Sequence, residues 1–367
     1  MIRVLQYIGS LAQGGSQAMI MNLYRNIDKA QIQFDFVIQV DGIHTTYAQE
    51  VQSMGARIYT CPRYSLKTAK KYDIWWNKFF EEHSEYRIVH SHIRSTASIV
   101  LGIAKKYGCK TIAHSHSTSS GSGLSCIIKN VLQYRIRFVA DYYIGCSQVA
   151  GEWLFGKKIC ASARYFNVPN AIDTEKFIFN KEESLKARKE LGFKKNDIVI
   201  GHVGRFSESK NHGFLVDIFR DLHMENGNYR LLLVGDGELK ADIERKVRQY
   251  ELDDAVIFAG VRTDVNRLLM AMDLFLFPSK WEGLPVSVVE AQAVGLPCVI
   301  SKSVTSEVCI TDLVERIDIN APVVEWVNVI RNRPISERKN MRKKIEDSGY
   351  DIRTSVKWIS DFYISIS

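Results

Sequence analysis

The chain has 367 residues, of which 46% are hydrophobic and 25% charged, and its formal net charge is +8. This length predicts two domains, and the composition is that of a globular protein rather than a disordered or fibrous one. No apolar run approaches the roughly 20 residues of a membrane-spanning helix, and residues 1–6 are too polar for a secretion signal. The seven cysteines are scattered without a Cys-x-x-Cys pair, which indicates reduced cytoplasmic thiols rather than disulfides or a zinc site.

The positive charge is concentrated in the first half of the chain. Residues 1–170 contain 20 Lys and Arg against 10 Asp and Glu, a net charge of +10, whereas the remaining residues contain 29 against 31, a net charge of −2. A basic half fits contact with an anionic surface or acceptor, although general solubility explains it equally well. Segments 70–78 and 127–137 mix cations with aromatic or apolar residues. Both fit ordinary amphipathic helices or contact with an anionic membrane, and we favour membrane contact.

The first half alternates strand and helix patterns, which is typical of a parallel sheet wrapped by helices. Strands are predicted at 3–8, 34–40, 56–60, 88–91, 110–114 and 142–146. Helices are predicted at 16–26, 45–54, 72–82, 96–106, 127–139 and 148–155. The turn-rich stretch 167–173 then predicts a linker.

The alternation restarts after this linker and predicts a second doubly wound unit, with a cleft between the two. Strands are predicted at 198–203, 230–234, 256–258, 274–277 and 298–301, and helices at 213–222, 238–250, 265–271 and 286–294. Apolar residues spaced by three and four in 352–367 predict an amphipathic helix that packs back on the first domain. We therefore expect an N-terminal domain at 1–170, completed by 352–367, and a C-terminal domain at 171–351.

The most informative stretch is Pro-Ser-Lys-Trp-Glu-Gly-Leu-Pro-Val-Ser-Val-Val-Glu at 278–290. It places Glu282 in a loop after a strand and Glu290 near the start of the next helix. Ligands bind at the carboxyl ends of strands in open α/β sheets, and a helix N-terminus favours phosphate. Glu290 can then reach a ribose, and Glu282 can reach the group attached beyond the phosphates. Taken alone, the two glutamates fit solvated surface charges better than a site, and it is the surrounding residues that favour a site.

Two further loops of the second half follow predicted strands. The loop at 204–211 contains Arg205 and Lys210, which suit a diphosphate as a bidentate fork and a point charge. The alternative is two surface cations, and the position of the loop at a strand end favours the diphosphate. The backbone around Val261 can contact a base edge, or this loop is plain and Thr263 caps the next helix. In the first half, Gly14 and Gly15 at the first strand–helix junction allow a close backbone approach to a phosphate or sugar.

Two His-Ser-His triplets, at 90–92 and 114–116, each end a predicted strand. Four histidines suggest a metal site, but we disfavour it because strand ends often turn out of register and no carboxylate lies close in sequence. The chain also lacks an Asp-x-Asp pair, which many metal-dependent sugar transferases use. We therefore expect no metal ligands. His116 is the best placed to contact a reacting sugar, whereas His90 and His92 fit structural, hydrogen-bonded histidines.

The second-half motifs together resemble the retaining glycosyltransferases of family 4, which have the GT-B fold. The hallmark of the family is two glutamates separated by seven residues, here Glu282 and Glu290, inside Pro-Ser-x-x-Glu-Gly-Leu-Pro and followed by Glu-Ala and Gly-x-Pro. Its Gly-Arg-(x)n-Lys diphosphate loop matches Arg205 and Lys210. These motifs are specific in combination.

The first-half motifs are less specific, although the resemblance spans nearly the whole chain. The Gly-Gly loop of the family matches Gly14 and Gly15. Its strand-end histidine matches the second triplet, in which His114 stands where the family usually has a threonine, and we choose His116 as the functional residue. The resemblance is greatest to bacterial enzymes that build capsular or exopolysaccharide repeat units.

The resemblance implies an α/β GT-B fold with two Rossmann-like domains facing a central cleft. It implies that Glu290 bonds the ribose, that Glu282 holds hydroxyls of the donor sugar, and that Arg205 and Lys210 neutralise the diphosphate. His116 would lie near the donor sugar and the acceptor hydroxyl. The candidate catalytic residues are His116 and Glu282, and the candidate nucleotide-sugar-binding residues are Gly14, Gly15, Arg205, Lys210, Val261, Gly283, Leu284, Pro285 and Glu290.

The implied reaction is transfer of a sugar, with retention, from a nucleotide sugar to an acceptor hydroxyl. By family habit the donor is a UDP-sugar and the acceptor a lipid-linked polysaccharide precursor at the cytoplasmic face of the membrane, and no cofactor or metal is required. Two other enzyme activities remain as alternatives, a nucleotide-sugar epimerase and a phosphorylase of the same fold. A third is a non-catalytic protein that binds nucleotide or an anionic surface, although no motif supports nucleic acid.

Overall fold

The computed structural model describes residues 1–12, 15–39, 46–118, 130–333 and 337–367. These residues form two compact units. Unit 1 comprises Met1–Ala171 and Ile352–Ser367, and unit 2 comprises Ile172–Asp351. Among the helices of these ranges, none is both long and apolar enough to cross a bilayer.

Unit 1 is built on a seven-stranded parallel sheet. Its strands are β1 (Ile2–Ile8), β2 (Ile32–Ile38), β3 (Ile58–Thr60), β4 (Ile88–Ser91), β5 (Lys110–Ser115), β6 (Tyr142–Gly145) and β7 (Tyr165–Asn167). Their order in the sheet is β3-β2-β1-β4-β5-β6-β7, so the chain starts in the middle and fills one side before the other. The helices that connect the strands are α1 (Gly15–Asn26), α2 (Thr46–Ser53), α3 (Ala69–Glu82), α4 (Ala97–Lys106), α5 (Ile136–Val139), α6 (Gln148–Phe155) and α7 (Lys157–Cys160).

Both faces of this sheet are buried, because β1 sends alternate side chains into two different apolar clusters. Val4 and Ile8 belong to the cluster that also contains the buried side chains of α1. Leu5 and Tyr7 belong to the cluster under α3 and α4. The strands therefore have continuous apolar sequences rather than alternating ones.

Unit 2 repeats this plan with a six-stranded parallel sheet. Its strands are β8 (Ile198–Val203), β9 (Tyr229–Val234), β10 (Val256–Gly260), β11 (Leu274–Phe277), β12 (Cys298–Ser301) and β13 (Val314–Ile317). Their order is β10-β9-β8-β11-β12-β13, which places β8 and β11 side by side at the centre. The helices are α8 (Lys181–Glu190), α9 (His212–Glu225), α10 (Lys240–Gln249), α11 (Val265–Ala271), α12 (Val286–Ala293), α13 (Val323–Asn332) and α14 (Arg342–Asp347).

The α/β fold with two doubly wound sheets is confirmed, and most predicted elements lie within a few residues of their predicted bounds. Six elements were missed: β7, β13, α7, α8, α13 and α14. The missed α8 is highly charged and buries only Ser184 and Ala187, so it lacks an apolar period. The side chain of Asn180 accepts hydrogen bonds from the backbone of Glu182 and Glu183, and this cap is the signal that marks its start.

The terminal helix α15 (Ile352–Ile366) belongs to unit 1. It is amphipathic, as its spacing predicts, and its apolar side enters the same cluster as Val4 and α1. Tyr363 meets Phe34 of β2 edge-to-face, with ring centroids 6.0 Å apart. The last residues of the chain thus cover one face of a sheet that begins at residue 2.

Candidate active site

The loop after β8 is locked to the loop after β9 by backbone contact. The amide of Phe206 donates to the carbonyl of Asp236 at 3.0 Å. A Cβ on Gly235 would collide with the carbonyl oxygen of Gly204, and a Cβ on Gly237 would collide with the backbone of Phe206. Gly235 also has φ +136°, which side-chain-bearing residues rarely adopt. Glycine is therefore required here for packing within the protein.

The same loop is also bound to the loop after β11. The amide of Lys280 donates to the carbonyl of Ser209 at 2.7 Å. The side-chain amide of Asn211, a residue in the left-handed region with φ 57°, donates to the carbonyl of Pro278 at 3.2 Å. These bonds join the segment around Lys210 to the segment that carries Glu282.

Lys210 and Glu282 form the centre of the site. The ammonium of Lys210 lies 2.8 Å from Glu282 Oε1, and the two side chains are only 16% and 14% exposed. The ammonium also lies 4.6 Å from the ring centroid of Phe277, a cation–π contact. The stem of Lys210 passes Gly204, where a Cβ would come within 3.2 Å of it. A half-buried positive charge is thus held beside a half-buried carboxylate at a strand end.

Arg205 differs from Lys210 in its surroundings. Its side chain is 68% exposed and pairs with Glu238 at 3.0 Å. An exposed pair of this kind contributes little to stability, so Arg205 is free to exchange Glu238 for another anion. Glu238 was not predicted as part of the site, because no pattern in the sequence connects it to Arg205.

Glu290 lies in the second turn of α12, which starts at Val286 directly after Pro285. Its side chain is half-buried, and burial raises the pKa of Glu290 to about 7. Within the described part of the chain, Glu290 makes no ion pair. Gly283, Leu284 and Pro285, which lead into the helix, are all buried. The carboxyl group is therefore available to accept hydrogen bonds from a ligand that reaches this end of the sheet.

Two histidines that the sequence analysis missed lie next to Lys210. His202 is buried, and its Nδ1 lies 2.9 Å from the carbonyl oxygen of Leu276. His212 stacks on Phe206 with ring centroids 4.1 Å apart. Burial, with a smaller contribution from the charge of Lys210, lowers the pKa of His212 to about 3. Both imidazoles are neutral at pH 7, so they add no positive charge beside Lys210.

Val261 follows β10 and is exposed, so its backbone is accessible. The residue at the N-cap position of α11 is Asp264 rather than Thr263, and its side chain makes no capping hydrogen bond. Arg262 pairs with Asp264 at 2.7 Å and thereby stabilises this loop from outside. The alternative in which Thr263 caps the helix is therefore wrong, and the prediction for Val261 stays a prediction.

In unit 1, the four strand-end histidines form one histidine cluster, His90, His92, His114 and His116. The rings of His90 and His92 stack with centroids 4.3 Å apart, and those of His114 and His116 with centroids 4.0 Å apart. The predicted loss of register at the strand ends is therefore wrong. His114 is buried and His116 half-buried, which favours His116 as the more accessible of the two.

Hydrogen bonds connect the two pairs of rings and fix them from outside. His90 Nε2 lies 3.2 Å from His114 Nδ1, and His92 Nδ1 lies 2.9 Å from His116 Nε2. The outer nitrogen of His90 contacts the hydroxyl of Tyr363 at 2.6 Å, and that of His92 contacts Gln6 Oε1 at 2.8 Å. His90 and His92 are thus hydrogen-bonded, as predicted. Burial, with mutual repulsion and the charge of Arg94, lowers the pKa values of all four imidazoles, to about 3 for His90 and His116.

The glycine loop is only partly described. Gly14 lies outside the described residues, whereas Gly15 is the exposed first residue of α1. A Cβ on Gly15 would meet nothing within 4 Å, so packing in the described part of the chain does not explain the glycine there. This is compatible with the predicted approach of a ligand to its backbone.

The two segments predicted to contact a membrane differ in the structure. Segment 70–78 lies entirely in α3, and its Tyr72 and Trp76 are fully buried, so these two aromatic residues belong to the core. Membrane contact of the exposed residues of this segment stays a prediction. Of segment 127–137, residues 127–129 lie outside the described residues. Tyr134 and Phe138, which follow, are 53% and 75% exposed. They lie beside Arg137, whose guanidinium is 4.7 Å from the Tyr134 ring centroid.

Comparison with known protein families covers both units. Residues 13–176 match the family described as Glycosyltransferase Family 4, and residues 183–345 match that described as Glycosyl transferases group 1. The putative glycosyltransferase EpsF of Bacillus subtilis (strain 168) is 31% identical over 369 residues, which are 98% of this chain and 96% of that protein. The UDP-Gal:alpha-D-GlcNAc-diphosphoundecaprenol alpha-1,3-galactosyltransferase of Escherichia coli is 27% identical over 370 residues, 96% of this chain and 94% of that protein.

Solved structures show the same fold. The crystal structure of Anabaena Alr3699/HepE in complex with UDP and glucose superimposes with a TM-score of 0.79 at 18% sequence identity, and the match covers 100% of both chains. The fold is therefore GT-B. The full-length match to EpsF and the two family matches lead to one conclusion: the chain belongs to the family 4 glycosyltransferases.

Proposed function

We propose that this glycosyltransferase transfers a sugar, with retention of configuration, from a UDP-sugar to a hydroxyl of a lipid-linked sugar. The observation that carries the proposal is the half-buried pair of Lys210 and Glu282, at the carboxyl ends of β8 and β11 and directly before the N-terminus of α12. A cation, a helix N-terminus and a carboxylate at one strand end suit a diphosphate that is attached to a hydroxyl-rich group.

In this proposal, Lys210 neutralises the charge that grows on the diphosphate as the sugar leaves. Glu282 accepts hydrogen bonds from hydroxyls of the donor sugar, with the backbone of 283–285 alongside. Arg205 contacts the outer side of the diphosphate after exchanging Glu238 for it. Because these two cations supply the charge and the chain has no Asp-x-Asp pair, the diphosphate needs no metal ion.

Glu290 is assigned to the ribose, whose two hydroxyls can donate to its carboxylate. The backbone around Val261 is assigned to the base. In unit 1, Gly14 and Gly15 are assigned to backbone contact with the ligand and His116 to the sugar and the acceptor hydroxyl. These assignments follow from the family motifs, and the exposure of Val261 and Gly15 is compatible with them.

The proposed chemistry takes place on one face of the donor sugar. The bond from the anomeric carbon to the diphosphate oxygen breaks, and a bond to the acceptor oxygen forms on the same face. The proton of the acceptor hydroxyl passes to the departing diphosphate, so that UDP leaves and the linkage keeps its configuration. The role of the protein is to hold both substrates and to stabilise the charge on the leaving group.

The lipid-linked acceptor is supported by two observations. The name of the E. coli relative specifies a diphosphoundecaprenol-linked acceptor and a UDP-galactose donor. In this chain, residues 1–170 carry a net charge of +10, and Tyr134 and Phe138 are exposed beside Arg137. Exposed aromatic residues beside cations favour the interface of an anionic membrane. We propose that unit 1 rests on the inner face of the cell membrane through this surface.

The test is a panel of UDP-sugars offered with undecaprenyl-diphosphate-linked and water-soluble sugar acceptors, followed by mass spectrometry and NMR of the product linkage. We expect one UDP-sugar to be consumed with a lipid-linked acceptor and the anomeric configuration to be retained. A rearranged sugar released without acceptor would instead show an epimerase. Phosphate-dependent cleavage of an oligosaccharide would show a phosphorylase.

Membrane contact is tested separately by sedimentation with vesicles that contain or lack anionic phosphatidylglycerol. We expect binding only to the anionic vesicles, and Phe138→Ser to weaken it several-fold. The matched control is Val324→Ser, which changes an exposed apolar residue of unit 2. Equal weakening by both variants would exclude a specific role for the surface around Phe138.

A further inference from the structure

The histidine cluster of unit 1 has the geometry of a metal site. One ring nitrogen from each of His90, His92 and His114 can be chosen so that all three lie within 4.8 Å of one another. The closest pair, His90 Nε2 and His114 Nδ1, is 3.2 Å apart. Tetrahedral zinc with Zn–N bonds of about 2.0–2.1 Å requires nitrogens roughly 3.3 Å apart. The pair therefore has the required separation, and His92 needs a movement of no more than about 1.5 Å.

The outer nitrogens of two of these rings have the partners that metal-binding histidines have. The outer nitrogen of His92 contacts the side-chain carbonyl oxygen of Gln6, and that of His90 contacts the hydroxyl of Tyr363. The oxygen of Gln6 can only accept, so it fixes His92 with its proton on Nε2, and both outer contacts hold the second nitrogen of each ring inward. In both rings the inward nitrogen is the one that contacts the neighbouring histidine.

Two ring nitrogens of the histidine cluster have no hydrogen-bond partner among the residues that the structure describes. His114 Nε2 and His116 Nδ1 are buried and make no hydrogen bond within the described part of the chain. Neither atom is a ligand in the arrangement above, in which His114 uses Nδ1, but both show that the polar groups of the cluster are not all paired within these residues.

We propose that the histidine cluster binds one divalent ion of the zinc class through His90, His92 and His114. Imidazole nitrogen is a preferred ligand of Zn²⁺, Co²⁺ and Ni²⁺, and three histidines form a complete protein ligand set in known zinc sites. The absence of nearby carboxylates, which led us to expect no metal, is therefore no obstacle. The proposal concerns unit 1 and is independent of the diphosphate, for which no metal is proposed.

The test uses the full-length protein after removal of metals with a chelator, without nucleotide sugar. Zn²⁺ is titrated by calorimetry, and Co²⁺ by visible absorption. We expect one ion per chain, Co²⁺ bands of a site with four or five ligands, and no thiolate charge-transfer band. Because no donor or acceptor is present, a negative result here leaves the proposed sugar transfer unaffected, and the reverse also holds.

Variants then locate the ion. We expect His92→Gln and His114→Gln each to weaken Zn²⁺ binding by more than about 100-fold, and Gln6→Ala to weaken it by about 10–100-fold. The matched control is His223→Gln, a histidine of unit 2 whose Nδ1 contacts the carbonyl of Tyr229. Its affinity for Zn²⁺ should equal that of the parent. Unchanged binding in His92→Gln would overturn the proposal.

X-ray absorption of the zinc-loaded parent protein identifies the ligand atoms of the ion directly, so the proposal can be tested even if the variants fail to fold. We expect a first shell of nitrogen and oxygen only, with the multiple scattering that imidazole rings produce. Sulfur in the first shell would place the ion at cysteine and overturn the proposal. No binding of Zn²⁺ or Co²⁺ by the parent protein would overturn it as well.

Discussion

The candidate active site of unit 2 and the histidine cluster of unit 1 occupy corresponding places, the carboxyl ends of central strands in two similar sheets. The unit 2 site consists of full charges in ion pairs, with Lys210 held between Glu282 and Phe277. The unit 1 cluster consists of stacked neutral rings. The same edge of a parallel sheet thus carries different groups in the two units. In unit 2 its loops carry charged side chains, and in unit 1 its strand ends carry neutral imidazole rings.

The largest effect is expected from removing the half-buried cation of unit 2. Lys210→Met should lower kcat by about 10³-fold, because a charge aimed at the leaving group contributes about 4 kcal/mol in such sites. Arg205→Gln, which removes the exposed cation of the same loop, should lower kcat by no more than about 10-fold. Both are measured as initial rates with the UDP-sugar that the panel of donors selects. A greater loss in Arg205→Gln would contradict the assignment of the diphosphate to Lys210.

The second effect concerns the backbone under this charged site. Gly235→Ala should destabilise the protein by about 3 kcal/mol. The new methyl group collides with the carbonyl oxygen of Gly204, and alanine rarely adopts the backbone φ of +136° found at this position. The control is Gly192→Ala, where φ is also positive but nothing lies within 4 Å. It should cost only about 1 kcal/mol. Urea denaturation measures both, and equal costs would show that the contact with Gly204 is unimportant.

The third effect tests whether ionisation of the Glu290 carboxyl group destabilises the folded protein. Its pKa is about 7 when folded and about 4.5 in the unfolded chain, so the folded state binds more protons between these values. Stability is therefore lost as pH rises from 4.5 to 7. Glu290→Gln should be about 2–3 kcal/mol more stable than the parent at pH 8.5 and close to it below pH 5. Urea midpoints at the two pH values measure this.

The exposed Glu325→Gln controls for the general loss of a carboxylate, and it should change the free energy of unfolding by less than about 1 kcal/mol at either pH. A pH-independent effect of Glu290→Gln would exclude burial of the charge. The same titration has a functional counterpart. Binding of UDP-sugar should strengthen as pH rises through 7 in the parent protein, because the ionised carboxylate accepts both ribose hydroxyls, and stay constant in Glu290→Gln.

The smallest effect belongs to the uncharged cluster of unit 1. Tyr363→Phe should destabilise the protein by about 1–2 kcal/mol, because it leaves the outer nitrogen of buried His90 without its partner. Tyr142→Phe is the control, since the Tyr142 ring also packs against α15 through Phe362 but its hydroxyl makes no hydrogen bond in the described part of the chain. Its effect should lie within about 0.5 kcal/mol, and a larger loss there would show that the hydroxyl of Tyr363 is not special.

The two sites also differ in how much of them the sequence predicts. The unit 2 site is local, since Arg205 and Lys210 share one loop and Glu282 and Glu290 share one strand–helix junction. The hydrophobic periodicity and the local motifs are therefore enough to single out these residues. The two loops come into contact because β8 and β11, which they follow, are neighbours in the sheet. Glu238, His202 and His212 escape prediction because burial and pairing across loops decide their roles, and neither is visible in a pattern.

The unit 1 cluster depends on contacts that are distant in sequence. The triplets His90-Ser-His92 and His114-Ser-His116 are visible, but their stacking depends on the register of β4 against β5. Gln6 and Tyr363, which hold the outer nitrogens, come from the first strand and the last helix. Because no local rule connects residues so far apart, the sequence alone led us to expect separate histidines and no metal.

The position of Tyr363 in α15 has a consequence for the order in which the protein is made. Strand β7 ends at Asn167, but α15, which covers one face of the unit 1 sheet, begins at Ile352. A ribosome that adds 5–20 residues per second needs about 10–40 s to produce the intervening chain. Through that interval the apolar face around Phe34 lacks its covering helix, and unit 2 can fold first. We expect chaperones that bind apolar surfaces to engage unit 1 during this interval and to leave when the last helix emerges.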